Sequence, residues 1–110
     1  MNSIEKLTMK IVEFRDARDW ENFHTPKNLA LSLIIETGEL FEIMQWKDDN
    51  QLFVELDKIK PKLKDELADV AIYLFLLAHE FNIDLELAIA EKIEKNWEKY
   101  PVGKKTEFEQ

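Results

Sequence analysis

Two glycines (Gly38, Gly103) and three prolines (Pro26, Pro61, Pro101) punctuate 110 residues. That is too few turn-makers for a β-rich fold, in which each hairpin needs its own. Long helical runs are the alternative, and the prolines mark where they begin and end. Thr25-Pro26 pairs a side-chain cap with a residue suited to the first helical position. Pro61 opens a later periodic run, and Pro101 closes the last one. The apolar spacing predicts four helices. The first runs from about Ser3 to Ala17, with Ile4, Leu7, Ile11 and Phe14 on one stripe, and the others cover about Pro26–Trp46, Pro61–Phe81 and Leu85–Tyr100. Arg18 to Thr25 reads as a turn or loop, Lys47–Gln51 as a polar break and Leu52–Ile59 as a short helical turn. Asn82-Ile83-Asp84 is a connection with Asp84 as N-cap. The expectation is an all-α four-helix bundle, residues 1–110 forming one domain with a polar tail over 101–110.

Composition narrows the function classes. Hydrophobic residues make up 45% and charged residues 35%, the balance of a packed domain rather than a disordered chain. The 23 acids outnumber 15 basic residues for a net charge of −8, which argues against a nucleic-acid polymer as partner. Without cysteine there is no disulfide, thiol nucleophile or cysteine zinc site. The first residues lack an apolar signal segment, and the most apolar window, Leu67 to Phe81, contains Asp69. At 15 residues it is shorter than the roughly 20 that a bilayer span needs. A cytoplasmic protein with no membrane partner is expected.

With so many acids, Glu-x-x-Glu spacing alone says little; most such pairs are solvated faces. Their surroundings single out two pairs. From Leu29 to Trp46 the second helix reads LALSLIIETGELFEIMQW, apolar almost all round and interrupted by Glu36, Glu39 and Glu42. A helix of that kind is buried on most sides. In LADVAIYLFLLAHEF, Asp69 stands among apolar residues, with Glu66 one turn before it. Residues three apart share a helix face, so Glu36/Glu39 and Glu66/Asp69 each present two carboxylates. Packing the two helices together would gather all four. Buried like charges are costly, and a hard divalent cation with oxygen ligands, Mg²⁺ or Mn²⁺, offsets that cost. Salt bridges to lysine or arginine across the bundle are the bland alternative. A di-iron site would need Glu-x-x-His on two helices, and the chain has only Glu21-Asn-Phe-His24, against the Thr25-Pro26 break.

Glu36-x-x-Glu39, 26 intervening residues and Glu66-x-x-Asp69 together resemble the signature of the MazG-type all-α nucleoside triphosphate pyrophosphohydrolases. The block from Phe14 to Lys47, FRDARDWENFHTPKNLALSLIIETGELFEIMQWK, is similar to that of the short dCTP pyrophosphatase branch. So are Asp69-Val-Ala-Ile-Tyr73 and Lys92-x-x-x-Asn96-x-x-Lys99-Tyr100-Pro101. The resemblance implies a Mg²⁺-dependent hydrolase (Mn²⁺ a substitute) that converts a (deoxy)nucleoside triphosphate to monophosphate and pyrophosphate. dCTP-like or modified substrates and a house-cleaning role go with it, as does a homodimer or homotetramer with sites near subunit contacts. Glu36, Glu39, Glu66 and Asp69 would be the catalytic metal ligands, one of them able to serve instead as general base.

The remaining candidates would bind substrate. From Glu91 to Lys105 five lysines face three glutamates, and the resemblance supports Lys92 and Asn96 as phosphate or sugar contacts. Tyr73 would point into the same cavity, and Lys104 and Lys105 would close over phosphates. Trp20, His24 and Trp46 would wall the base; some relatives carry a histidine in the first helix near it, where this chain offers Ile11. Trp20 and Trp46 are 26 residues apart in the chain, about 39 Å if all helical. Either the 18–25 loop folds back or the two tryptophans meet across a subunit interface, the arrangement expected for at least one of them. The competing reading keeps the fold without catalysis, as an acidic helical interaction module.

Overall fold

The computed structural model describes residues 1–103; Lys104 and Lys105 lie outside the described residues. Five helices follow in order: α1 (Ser3–Asp16), α2 (Pro26–Met44), α3 (Asp49–Val54), α4 (Leu56–Glu80) and α5 (Leu85–Lys99). The caps form where short polar side chains precede apolar runs. Thr25 Oγ1 accepts from the Asn28 N–H at 3.3 Å, with Pro26 in the first turn. Asp84 Oδ1 accepts from the Leu87 N–H at 3.1 Å. Asp48 and Gln51 form a reciprocal capping box that starts α3. Asn82, at φ 55°, takes the left-handed conformation that turns the chain from α4 toward α5.

One boundary departs from expectation. Pro61 does not open its helix but lies inside α4, which begins five residues earlier at Leu56. A proline there removes only the hydrogen bond to the Asp57 carbonyl, in the helix's first turn, where the residue is exposed to water. The segment read as one helical turn, Leu52–Ile59, is instead divided at Glu55 between α3 and α4. Lys47 Nζ meets Glu55 Oε2 at 3.1 Å across this corner.

The long helix α4 is the spine, packed most extensively on α2 and then on α1. Val12, Leu29 and Leu76, one from each of these helices, form the buried centre, with Ile11, Ile72, Tyr73 and Leu77 against it. On α1 the buried residues are Thr8, Val12 and Arg15, rather than the apolar stripe of Leu7 and Phe14, each about half exposed. That stripe faces a pocket instead. Nor is α2 covered on most sides within one chain: Leu31, Ile34, Ile35 and Phe41 are exposed, as are Ile89, Ile93 and Trp97 of α5. The radius of gyration of 17.2 Å exceeds the roughly 13 Å of a compact domain of this length. The four long helices are present, but α5 stands out from the other three and leaves its apolar stripe uncovered. No helix among the described residues is long and apolar enough to cross a membrane.

Candidate active site

The packing of α2 on α4 determines where the acids go. Glu36 and Glu39 lie one turn apart on α2, and Glu66 comes from α4; one carboxylate oxygen of each falls within 4.8 Å of the others. Glu36 and Glu66 are half-buried and Glu39 is exposed. The Oε2 atoms of Glu36 and of Glu66 are buried with no hydrogen-bond partner. Buried carboxylate oxygens ordinarily find donors, so the pair suits a shared proton or a bound cation. In the metal-free chain Glu36 retains the proton: its carboxyl is pushed up to about 7. Burial is the largest cause, followed by the adjoining carboxylates of Glu66 and Glu39 and by the charge of Asp69. Asp69 is therefore close enough to act on Glu36 electrostatically, although it stands outside the three-oxygen cluster. Such an oxygen-only donor set suits a hard divalent cation. Glu42, the third acid of α2, is exposed and not part of the cluster.

Asp69 also lines a second feature, a pocket of about 620 Å³ between α1, α4 and the loop after α1. Its walls are the Leu7/Ile11/Phe14 stripe, Ile72 and Leu76 of α4, and Trp20, His24 and Tyr73. The loop folds back to place its aromatics. The Trp20 N–H donates to the Arg15 carbonyl at 3.2 Å, the His24 N–H to the Trp20 carbonyl at 3.1 Å, and Asn28 Nδ2 to the Phe23 carbonyl at 3.0 Å. The rings then form a chain: Phe14 to Trp20 at 5.7 Å, Trp20 to His24 at 6.2 Å and His24 to Tyr73 at 6.3 Å between centroids. His24 Nδ1 is buried without a partner, and burial, reinforced by the charge of Arg15, holds the imidazole below its ordinary pKa. An apolar wall with a few free polar atoms is the form of a small-molecule site.

The expected residues divide accordingly. Glu36, Glu39 and Glu66 converge; Trp20, His24, Tyr73 and Asp69 share the pocket beside them. Trp46, just beyond α2, is 86% exposed and does not reach Trp20 within the chain. On α5, Lys92 is exposed and Asn96 half-buried, and neither lines the pocket. Arg15 was not anticipated as a pocket residue. The signal was its register, since Thr8, Val12 and Arg15 fall at helical spacing on the buried face of α1.

The profile of the MazG-like family matches residues 31–110, which include Glu36, Glu39, Glu66 and Asp69. The chain belongs to the MazG-like family. It is 41% identical over 102 residues to the dCTP pyrophosphatase 1 of Mus musculus, covering 91% of this chain and 60% of that protein. The human dCTP pyrophosphatase 1 is 41% identical over 101 residues, 90% of this chain and 59% of the relative. The chain thus spans about three fifths of the length of these curated relatives. Among solved structures, a pyrophosphatase from Archaeoglobus fulgidus superposes with a TM-score of 0.85 at 43% identity, covering 92% of this chain and 94% of that one. The MazG-like membership and the all-α class read from the sequence are both borne out.

Proposed function

We propose that this MazG-like chain is a single catalytic domain that hydrolyses a nucleoside triphosphate, of the dCTP-like or modified deoxynucleotide kind, to the monophosphate and pyrophosphate. The observation that carries the reading is the pair of buried, unpartnered oxygens on Glu36 and Glu66 beside an aromatic pocket that begins at Asp69. Glu36, Glu39 and Glu66 would hold Mg²⁺, or Mn²⁺ in its place, with Asp69 at the edge toward the substrate. When bound, such a cation polarises the α-phosphorus and makes a coordinated water acidic enough to attack in line. Trp20, His24 and Tyr73 orient the base and exclude water around it, which fixes the α-phosphate beside the carboxylates. Lys92 and Asn96 take part only if α5 of a second copy brings them in, since their own chain leaves them away from the pocket. Lys104 and Lys105 remain proposed phosphate contacts. A pyrophosphate-release assay over the eight common NTPs and dNTPs tests the reading. Release that depends on Mg²⁺ and favours deoxypyrimidine substrates is expected; none with any nucleotide would refute it.

The uncovered apolar surface supports a homodimer or homotetramer. Ile89, Ile93 and Trp97 on α5 and Ile34, Ile35 and Phe41 on α2 are more apolar area than a monomer ordinarily leaves in water. Trp46 would then join the base pocket of a neighbouring copy. Sedimentation should give two or four copies, and Trp97→Glu should shift the protein toward monomer with loss of helix packing. An unchanged sedimentation coefficient in that variant would place the contact elsewhere.

A further inference from the structure

The base pocket contains a cation that neither the carboxylate cluster nor the triphosphate accounts for. Arg15 is only 7% exposed, yet it lines the pocket among Leu7, Ile72 and Leu76. Its guanidinium is anchored on two sides. Nη1 donates to Glu80 Oε1 at 2.7 Å and Nε to Asp16 Oδ1 at 3.1 Å. Burial alone would favour losing the charge, but these bonds outweigh it and keep the group firmly protonated. No described residue accepts from Nη2. Nη2 is not among the buried atoms left without a partner, so it stays open to water or to a ligand entering the pocket.

Its place along α4 excludes the phosphates as that ligand. Asp69 and Glu80 are eleven residues apart on one helix, about 16 Å along its axis. Tyr73 stands about 6 Å from Asp69 on the same measure. Arg15, bonded to Glu80, therefore closes the end of the pocket remote from the carboxylates. A nucleotide with its α-phosphate at Asp69 would set its base among Tyr73, His24 and Trp20 and turn its outer edge toward Arg15. A guanidinium only donates hydrogen bonds. It favours a base that presents a ring nitrogen or carbonyl oxygen there and penalises an amino group in the same place.

We propose that Arg15 is a specificity-determining residue, its Nη2 donating to an acceptor on the outer edge of the bound base, with Glu80 and Asp16 holding the guanidinium in position. This rests on the nucleotide-hydrolysis reading above. The test replaces both members of the pair, Arg15→Met with Glu80→Met, so that no charge is stranded. Glu80→Gln alone is the second variant, which keeps an acceptor for Nη1. Affinities for dCMP, dUMP, dTMP, dAMP and dGMP are measured by calorimetry in EDTA, where no turnover is needed. The kcat/KM values of the matching triphosphates with Mg²⁺ are read beside them. The wild type should prefer one base or a chemically similar pair. The double variant should lose about tenfold or more on the preferred base and change little on the others, while Glu80→Gln retains the order. A uniform loss over all bases, an unchanged order in the double variant, or a wild type without preference would overturn the role of Arg15 and leave hydrolysis standing. A wild type that neither binds a monophosphate nor releases pyrophosphate would remove both.

Discussion

Glu39→Gln is expected to lower pyrophosphate release on the order of a hundredfold or more, with the helical circular dichroism of the protein unchanged. The amide keeps the shape of the carboxylate but removes the charge that binds a hard cation. Even outer-shell partners of metal ligands are worth ten- to a hundredfold, and Glu39 is in the three-oxygen cluster itself. Folding should not suffer, because Glu39 is exposed and its charge works against Glu36 in the metal-free protein. The thermal midpoint of the variant in EDTA should therefore equal or exceed that of the wild type. Glu36→Gln and Asp69→Asn should behave in the same way. Glu42→Gln is the control: it lies one turn beyond Glu39 on α2, exposed and outside the cluster, and should retain nearly full activity. Full activity in Glu39→Gln, or equal losses in Glu39→Gln and Glu42→Gln, would refute the assignment of the ligands.

The contrast between Glu39 and Glu42 shows what sequence can and cannot supply. Helical spacing places Glu36 and Glu39 on one face, and the apolar text around Glu66 and Asp69 marks that pair as costly to bury; both pairs are local facts. Which acids meet across helices depends on the crossing of α2 and α4, a tertiary outcome that chooses Glu66 for the cluster and leaves Asp69 at its edge. The caps at Thr25, Asp48 and Asp84 were equally local; Thr25 and Asp84 were legible at once. The start of α4 was not, because a proline reads as a helix opener unless the preceding turn is known to be already helical. Arg15 was masked by its neighbours. In FRDARDW it looks like one more solvated charge, and only its partner Glu80, 65 residues away, shows that it is buried. The apolar excess of α2 was legible, and Leu31, Ile34, Ile35 and Phe41 are the part of it that a single chain leaves open.

Metal removal should reverse the usual benefit of raising the pH from acid toward neutrality. In the metal-free chain the Glu36 carboxyl titrates at about 7, against 4.5 for an ordinary glutamate, chiefly because burial disfavours its charged form. Between those values the native state holds a proton that the unfolded chain has released. Stability then falls with rising pH, since its slope follows the protons bound by the unfolded state minus those bound by the native state. The contribution of Glu36 is fully present below about pH 4.5 and gone once the pH has passed about 7. A divalent cation acts in the opposite sense. It binds the ionised cluster, competes with the proton, and stabilises the native state most where Glu36 is already deprotonated. At a hundred times its dissociation constant a ligand adds about 2.7 kcal/mol, roughly 10 °C or more in a domain of this size. Melting curves at pH 5, 6, 7 and 8, in EDTA and in millimolar Mg²⁺, should diverge progressively, with the Mg²⁺ increment small at pH 5 and largest at pH 8. Glu36→Gln should flatten the metal-free trend, because the amide has no proton to lose. If the curves with and without Mg²⁺ coincide at pH 8, the three carboxylates are not a cation site; if the slope survives in Glu36→Gln, another group carries the titration.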